Sequence, residues 1–448
     1  MKVKVISRNP DEYLRATKRD IYKVPRNFDP VLHPFEGPRE YTRALNAVKL
    51  ERIFAKPFVG NLDGHREGVC SLAKHPKRVS ILVSGAYDGE VRVWDIARRV
   101  STASWQAHNG WVRGICFSPT EEGDCFWTVG DDATIKVWNT SPKDEMNNDV
   151  RPLNTIISKS VLTSVSHQWG GKLYATSGDC CQVWDETRDE PLQSHSWGVD
   201  SLYSVSFNPV QTNVLGACAS DRSMIFYDVR MSGPIRKVIM QLRSNKIAWN
   251  PMEPFVFTCA SEDYNLYSFD ARSLGQPFNV HMDHTSAVTD VDYSPTGKEF
   301  ISGSYDKTVR FFELDKGHSR DVYHTKRMQR LTCVAWSLDA KFVATASDEM
   351  NIRIWKARAA EKLGNLKPRE KRALEYAAAL REKFAFHPQI KRIARHRQVP
   401  KHIYNAQKEM RAIKDKMSRK EANRRAHSKP GSVPHIPERK KHIVEEKE

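Results

Sequence analysis

Seven copies of a segment of about 43 residues, each closed by an aromatic side chain, predict an all-β chain folded as a seven-bladed β-propeller. Two further observations complete the architecture. An extended N-terminal arm, residues 1–52 with one short helix, precedes the copies, and a basic α-helical C-terminal region, residues 357–448, follows them. The propeller itself is expected over residues 53–356.

The closing aromatics are Trp94, Trp138, Trp184, Tyr227, Phe269, Phe312 and Trp355, spaced by 44, 46, 43, 42, 43 and 43 residues. The clearest pair of copies is Ser84-Gly85-Ala86-Tyr87-Asp88-Gly89-Glu90-Val91-Arg92-Val93-Trp94 and Val129-Gly130-Asp131-Asp132-Ala133-Thr134-Ile135-Lys136-Val137-Trp138. Short alternating runs such as Val91-Arg92-Val93-Trp94 and Ile352-Arg353-Ile354-Trp355 sit between Gly, Asp, Asn and Pro turn signals. They read as strands that bury one face against the next blade. An Asp ahead of such a strand accepts backbone N–H groups in a tight turn. Period and motif together are those of a WD40 repeat.

His65, His108 and His284 head three of the units. In WD40 repeats such a His joins a buried network with a Ser or Thr, the turn Asp and the closing Trp. The expected members here are His65, Asp88 and Trp94, then His108, Asp132 and Trp138, with Asp306 and Trp355 in later units. His65, Ser84 and Asp88 also resemble a hydrolase triad. The structural reading is preferred, because the set recurs with the repeat and no nucleophile elbow accompanies it. The third unit, Ser177-Gly178-Asp179-Cys180-Cys181-Gln182-Val183-Trp184, is one residue short and lacks the Asp six positions before its Trp. That blade is expected to be irregular at one rim. The last unit ends at Trp355 without an outer strand, so residues near 53–60 should complete the seventh blade.

Charge is segregated along the chain. Residues 356–448 carry 27 basic against 11 acidic side chains, and residues 1–60 carry 13 against 7. The middle is mildly acidic, with 31 against 36, so nearly all of the net +17 resides in the ends. Concentrated like charge points to a polyanionic partner. The start, Met1 to Pro10, has no apolar run behind its basic residues and does not read as a secretory signal. No stretch approaches the roughly 18 apolar residues of a membrane span. Eight scattered cysteines with no C-x-x-C pair read as buried reduced thiols rather than a metal site or disulfide framework. No phosphate-cradling Gly loop or activated nucleophile stands outside the repeats, so neither cofactor, metal, small-molecule substrate nor catalysis is expected.

In the arm, Pro10, Pro25, Pro30, Pro34 and Pro38 interrupt any long helix, and only Tyr41–Leu50 looks helical. Its spaced aromatics suit docking onto an assembly, or equally a fold-back onto the propeller wall. Beyond Trp355, Pro368 and Glu370 open a helix with Leu374, Ala377, Ala378 and Leu380 on one face, ending near Phe386. A long charged run from Lys401 to Arg425 carries a thin seam of Ile403, Met410, Ile413 and Met417. The candidate nucleic-acid contacts, to RNA or DNA, are Lys391, Arg392, Arg395, His396, Arg397, Lys401, Arg424, Arg425 and Lys429, since Lys and Arg neutralise phosphates. A nuclear import patch and a plain solvated face are the competing readings. Few aromatics accompany these cations, which favours backbone contact over base readout.

Several segments carry a specific resemblance. They are Ser7-Arg8-Asn9-Pro10, Val24-Pro25-Arg26-Asn27, His33-Pro34-Phe35-Glu36 and Ala44-Leu45-Asn46-Ala47 before the propeller. Trp249-Asn250-Pro251-Met252-Glu253, Glu262-Asp263-Tyr264-Asn265-Leu266-Tyr267 and Tyr323-His324-Thr325-Lys326-Arg327-Met328-Gln329 follow within it. Lys391-Arg392-Ile393-Ala394-Arg395-His396-Arg397 and His427-Ser428-Lys429-Pro430-Gly431-Ser432-Val433-Pro434 stand in the tail. With these the chain resembles the Sof-like WD40 proteins of the small-subunit processome. The resemblance implies a non-enzymatic nucleolar role in pre-18S ribosomal RNA processing. It also implies pre-ribosomal RNA, the U3 small nucleolar ribonucleoprotein and other processome proteins as partners, with no membrane. A second feature points elsewhere. Tyr227-Asp228-Val229-Arg230 and Phe269-Asp270-Ala271-Arg272 resemble the paired W-D-x-R boxes of propellers that dock onto cullin-RING ubiquitin ligases, with Trp replaced in both. Asp228, Arg230, Asp270 and Arg272 are then candidate adaptor contacts. The bland use of such an Arg is pairing with acidic residues between neighbouring blades.

Overall fold

The computed structural model describes residues 30–119, 124–140, 150–198 and 201–447. The arm segments around Arg8 and Val24 lie outside that set. Two compact bodies divide the chain. One comprises residues up to Ala55 with Ala360–His396, and the other Lys56–Ala359 with Arg397–Glu448.

The second body is built on seven antiparallel sheets. Blade 1 is typical: Val69–Lys74, Ile81–Ala86, Glu90–Asp95 and Val100–Gln106 pair in sequence order from the inner strand outward. Apolar residues of consecutive blades interlock, as where Val91, Val93 and Trp105 of blade 1 pack with Phe117, Phe126 and Trp138 of blade 2. Between their second and third strands, Asp88, Asp132, Asp221, Asp263 and Asp306 each accept the N–H two residues on, at 2.9–3.2 Å. That turn forces the intervening residue to positive φ. Gly89 adopts 87°, whereas Ala133, Arg222, Tyr264 and Lys307 tolerate 55–71°.

Side chains near the start of the inner strands lock several blades to the next. Thr163, Asn245 and Thr289 donate to Leu202 O, Val288 O and Leu331 O at 2.6, 2.7 and 3.0 Å. Thr332 donates to Val69 O at 2.5 Å, which ties blade 7 to blade 1. Closure also uses a strand from the other end of the sequence. Phe58–Leu62 pairs with Ile352–Lys356, with Phe58 opposite Trp355 and Leu62 opposite Ile352. The strand lies slightly later than residues 53–60, because a helix continues through Ile53. The third blade is irregular as expected. A tight turn closes at the Ser177–Cys181 pair, and the Trp184 indole donates to Thr176, eight residues earlier instead of ten. All eight cysteines are unpaired, and burial pushes the Cys70 and Cys259 thiols up to about 12.

Two additions decorate this body. Helix α4, Lys401–Ala426 in the numbering α1–α4 along the chain, lies against the loop after blade 5. Ile443–Lys447 then adds a fifth strand to the outer edge of blade 4, pairing with Lys237–Met240.

The first body is a small helical cluster of α1 (Glu36–Ile53), α2 (Pro368–Lys383) and α3 (Pro388–Ala394). Helix α1 is longer than Tyr41–Leu50. Pro38 falls in its first turn, where the missing N–H would have had no intrahelical partner. Ala44 and Val48 bury against Leu380 and Ile390, and the Tyr41 hydroxyl donates to Gln389 Oε1 at 2.6 Å. The expected face of α2 is only partly used, since Leu380 is buried and Leu374 is 41% exposed. The basic C-terminal region is therefore divided between the two bodies at His396.

Candidate functional site

In blade 2 the repeat network is complete. His108 reaches Asp132 through Nδ1 (2.8 Å) and Thr128 through Nε2 (2.8 Å), and the Trp138 indole donates to Thr128 at 2.9 Å. Blade 6 places His284 between Asp306 (2.9 Å) and Ser302 (2.7 Å), but its closing residue, Phe312, has no indole N–H to donate. Blade 7 keeps the other half, Trp355 donating to Thr345 at 2.8 Å. Blade 1 differs. His65 bonds Ser84 at 2.6 Å and Trp94 donates to the same hydroxyl at 2.7 Å, yet the other ring nitrogen faces Glu90 at 3.5 Å, not Asp88. The longer Glu90 side chain occupies the place the turn Asp takes in blade 2, and Asp88 only caps its turn. Burial and the nearby Arg92 lower the His65 pKa to about 4, so the ring is neutral. Ser84 is fully buried, its hydroxyl bonded to both His65 and Trp94. Among the described residues no group of His, Cys, Asp or Glu is arranged to hold a metal ion.

The two aspartate–arginine boxes share one geometry. In each, the Asp accepts the Arg backbone N–H (2.9 Å to Asp228, 3.0 Å to Asp270) and grips the guanidinium from two sides. Arg230 Nη2 lies 2.7 Å from Asp228 and Arg272 Nη2 lies 2.8 Å from Asp270. These side-chain bonds hold both carboxyls below their ordinary range. The arginines remain 69% and 67% exposed. Neither box ion pair crosses to the next blade: each is closed within its own box, which leaves a flat, oriented guanidinium on each of two adjacent blades. The Arg272 guanidinium also stacks 4.6 Å over Phe255.

The nine basic candidates separate. Lys391, Arg392, Arg395 and His396 are exposed on and just after α3 in the helical body, and Lys401, Arg424 and Lys429 are exposed on or beside α4. Arg425 is half-buried, its Nε donating to Glu421 O at 3.4 Å. Arg397 is different in kind. It donates to Asp283 Oδ2 and Ser319 Oγ, both at 3.0 Å, and fastens the start of the α4 segment to blades 5 and 6. Asp283 also accepts from His318 (3.0 Å) and from Ser319 N–H and O–H (2.7 and 2.6 Å). The buried Arg310 stands 3.8 Å away. Burial alone would raise the Asp283 pKa, but His318, Arg310 and Ser319 more than offset it and hold the carboxyl well below its ordinary range. Arg397 is thus engaged within the propeller body rather than offered to a phosphate. Asp283 stands immediately before His284, where blade 1 has Gly64 before His65, and that departure from the repeat was the signal available in the sequence.

The profile of the WD domain, G-beta repeat, matches residues 56–95, 99–139, 275–313 and 316–356, and the Sof1-like domain matches residues 357–443. DDB1- and CUL4-associated factor 13 of Danio rerio is 57% identical over 445 residues, and that of Homo sapiens 56% over 444, each covering 99% of both chains. Protein SOF1 of Saccharomyces cerevisiae is 41% identical over 464 residues, covering 99% of this chain and 94% of its own. The chain belongs to the Sof1-like WD40 family.

The Sof1-like region is not one structural body. Its first part, to His396, supplies α2 and α3 to the helical cluster, whereas Arg397 onward belongs to the propeller. The same region that distinguishes a Sof1-like protein from other propellers thus contributes the Arg397 anchor, the exposed helix α4 and the fifth strand of blade 4.

Proposed function

We propose that this protein is a non-enzymatic assembly factor of the small-subunit processome, acting in the nucleolus on the precursor of 18S ribosomal RNA. The propeller supplies rigid faces for protein partners, and the basic Sof1-like region contacts pre-ribosomal RNA and the U3 small nucleolar ribonucleoprotein. The observation that carries the reading is the Sof1-like region itself, matched over residues 357–443 and holding nearly all of the chain's net charge. Backbone neutralisation by such a surface binds RNA without base readout. Depleting the protein should make 18S precursors accumulate and mature 18S RNA fall while the large-subunit RNA continues to mature. Unaffected 18S maturation would refute the reading.

A second reading is favoured by the boxes. Arg230 and Arg272 are exposed, pre-oriented by Asp228 and Asp270, and placed on adjacent blades, and relatives are named for association with DDB1 and CUL4. In this role the protein is a substrate receptor of a cullin-RING ubiquitin ligase. Changing both arginines to Ala should abolish recovery of the ligase adaptor in a pull-down, and undiminished recovery would eliminate that docking mode.

A further inference from the structure

Helix α4 carries basic charges that no carboxylate among the described residues answers. Lys401–Ala426 holds nine Lys and Arg residues against three carboxylates. Among the described residues, none of the nine has a carboxylate oxygen within 4.0 Å. The helix carboxylate that does pair, Glu421, is taken from outside the helix by Lys441 at 2.9 Å. Lys416 and Lys420, then Lys420 and Arg424, are like charges four residues apart, an arrangement that destabilises a helix in isolation.

The helix is nonetheless firmly placed. Ile403 is buried, Gln407 Nε2 donates to Asp283 O at 2.5 Å, and Lys414 Nζ reaches Met282 Sδ at 3.7 Å, which defines the side turned to the propeller. Arg397 anchors the chain just before the helix, and the Lys441–Glu421 pair holds its far end. With 100° of rotation per residue, Lys401, Lys408, Lys416, Arg419 and Lys420 fall on the opposite side. Glu409 and Asp415 share that side, leaving five cations to two carboxylates. Lys401 to Arg419 spans about 27 Å of helix axis.

A rigid row of cations is suited to a rigid row of phosphates. Single strands are held by a basic groove combined with a series of aromatic side chains on which bases stack, and α4 offers one aromatic, Tyr404. Double-stranded RNA is instead recognised by shape and by backbone contact. We infer that α4 is a docking rod for double-helical RNA, with Lys401, Lys408, Lys416 and Arg419 contacting the phosphates of the duplex. The inference rests on the RNA-binding reading above and names the element and the form of RNA.

The test uses the full chain and two labelled probes, an RNA duplex of about 16 base pairs and one of its strands alone. Binding is followed by fluorescence anisotropy between about 50 and 200 mM salt. The wild-type protein should prefer the duplex by about tenfold or more. A K401Q/K408Q/K416Q/R419Q variant should lose roughly 10²-fold in duplex affinity, with a log–log salt slope shallower by about 3. A K159Q/K172Q/R188Q variant, which removes three exposed cations of the propeller, should keep its duplex affinity within about threefold, those residues lying outside the rod and outside the Sof1-like region. Equal or tighter binding of the single strand, no binding of the duplex, or an unchanged quadruple variant would overturn the inference. The assembly reading is judged separately by 18S precursors in depleted cells. A protein that supports 18S maturation yet ignores duplex RNA therefore overturns the assignment of α4 alone.

Discussion

The cations of the propeller and those of α4 belong to one chain and live under opposite conditions. Within the blades, Arg113 pairs with Asp131 at 2.6 Å, Arg243 with Glu262 at 2.6 Å and Lys246 with Asp290 at 2.7 Å. The buried Arg310 stands within 4.0 Å of both Asp283 and Asp306. On α4 no such partner exists among the described residues. A buried charge must be answered inside the fold because desolvation is costly, whereas an exposed one can wait for a partner outside it. The charge of these propeller pairs is thus answered within the fold, and helix charge remains available for binding.

Substitutions can break this contrast where it is strongest. Asp283→Ala should have the largest effect. It leaves Arg310 buried with only Asp306 and removes the carboxylate acceptor of Arg397, at a cost of about 3–5 kcal/mol, measurable by thermal unfolding. A loss under about 1 kcal/mol would mean that the cluster is not a buried charge network.

Acid should come next. Burial keeps His65 and His281 neutral with pKa values of about 4, against an ordinary 6.5 once unfolded. Between those values the unfolded chain binds more protons than the fold. Stability should therefore fall as pH drops from 6.5 towards 4, by up to about 3 kcal/mol for each ring. Midpoints of denaturant unfolding across that range test this, and His281→Asn should flatten the slope. Stability that rose on acidification would contradict the assignment of neutral rings.

Arg397→Gln should cost about 1–2 kcal/mol, since a charged hydrogen bond to a buried carboxylate is lost while His318 and Ser319 still hold Asp283. Faster hydrogen exchange confined to α4 would show that Arg397 acts as its anchor. The smallest effect should come from Lys416→Gln and Arg419→Gln. Stability should change by less than about 0.5 kcal/mol, because neither side chain has a hydrogen-bond or ion-pair partner among the described residues. A clear destabilisation would place α4 with the propeller, its charge structural after all.

Much of the propeller was legible in advance. Blade number and closing aromatics follow from the period, because every blade solves the same packing problem with the same spacing. The short third blade was visible in the missing turn Asp before Trp184, and seventh-blade closure in the outer strand that Trp355 lacks. Less legible were features that depend on which blades become neighbours. Glu90 rather than Asp88 faces His65 because side-chain length decides who reaches the ring. The full length of α1 was hidden by Pro38, a helix breaker everywhere except in a first turn. Arg397 looked like any member of the basic run, and only its distance to Asp283, 114 residues away, separates it from Arg395.

The sequence by itself determined the repeat, the segregation of charge and the Sof1-like character of the tail, since each is written in local spacing and composition. Tertiary structure decided which charges are free. A Lys or Arg is available to a polyanion only if no carboxylate lies within a few ångströms of it. Those carboxylates, Asp283 foremost, arrive from blades far away in the chain.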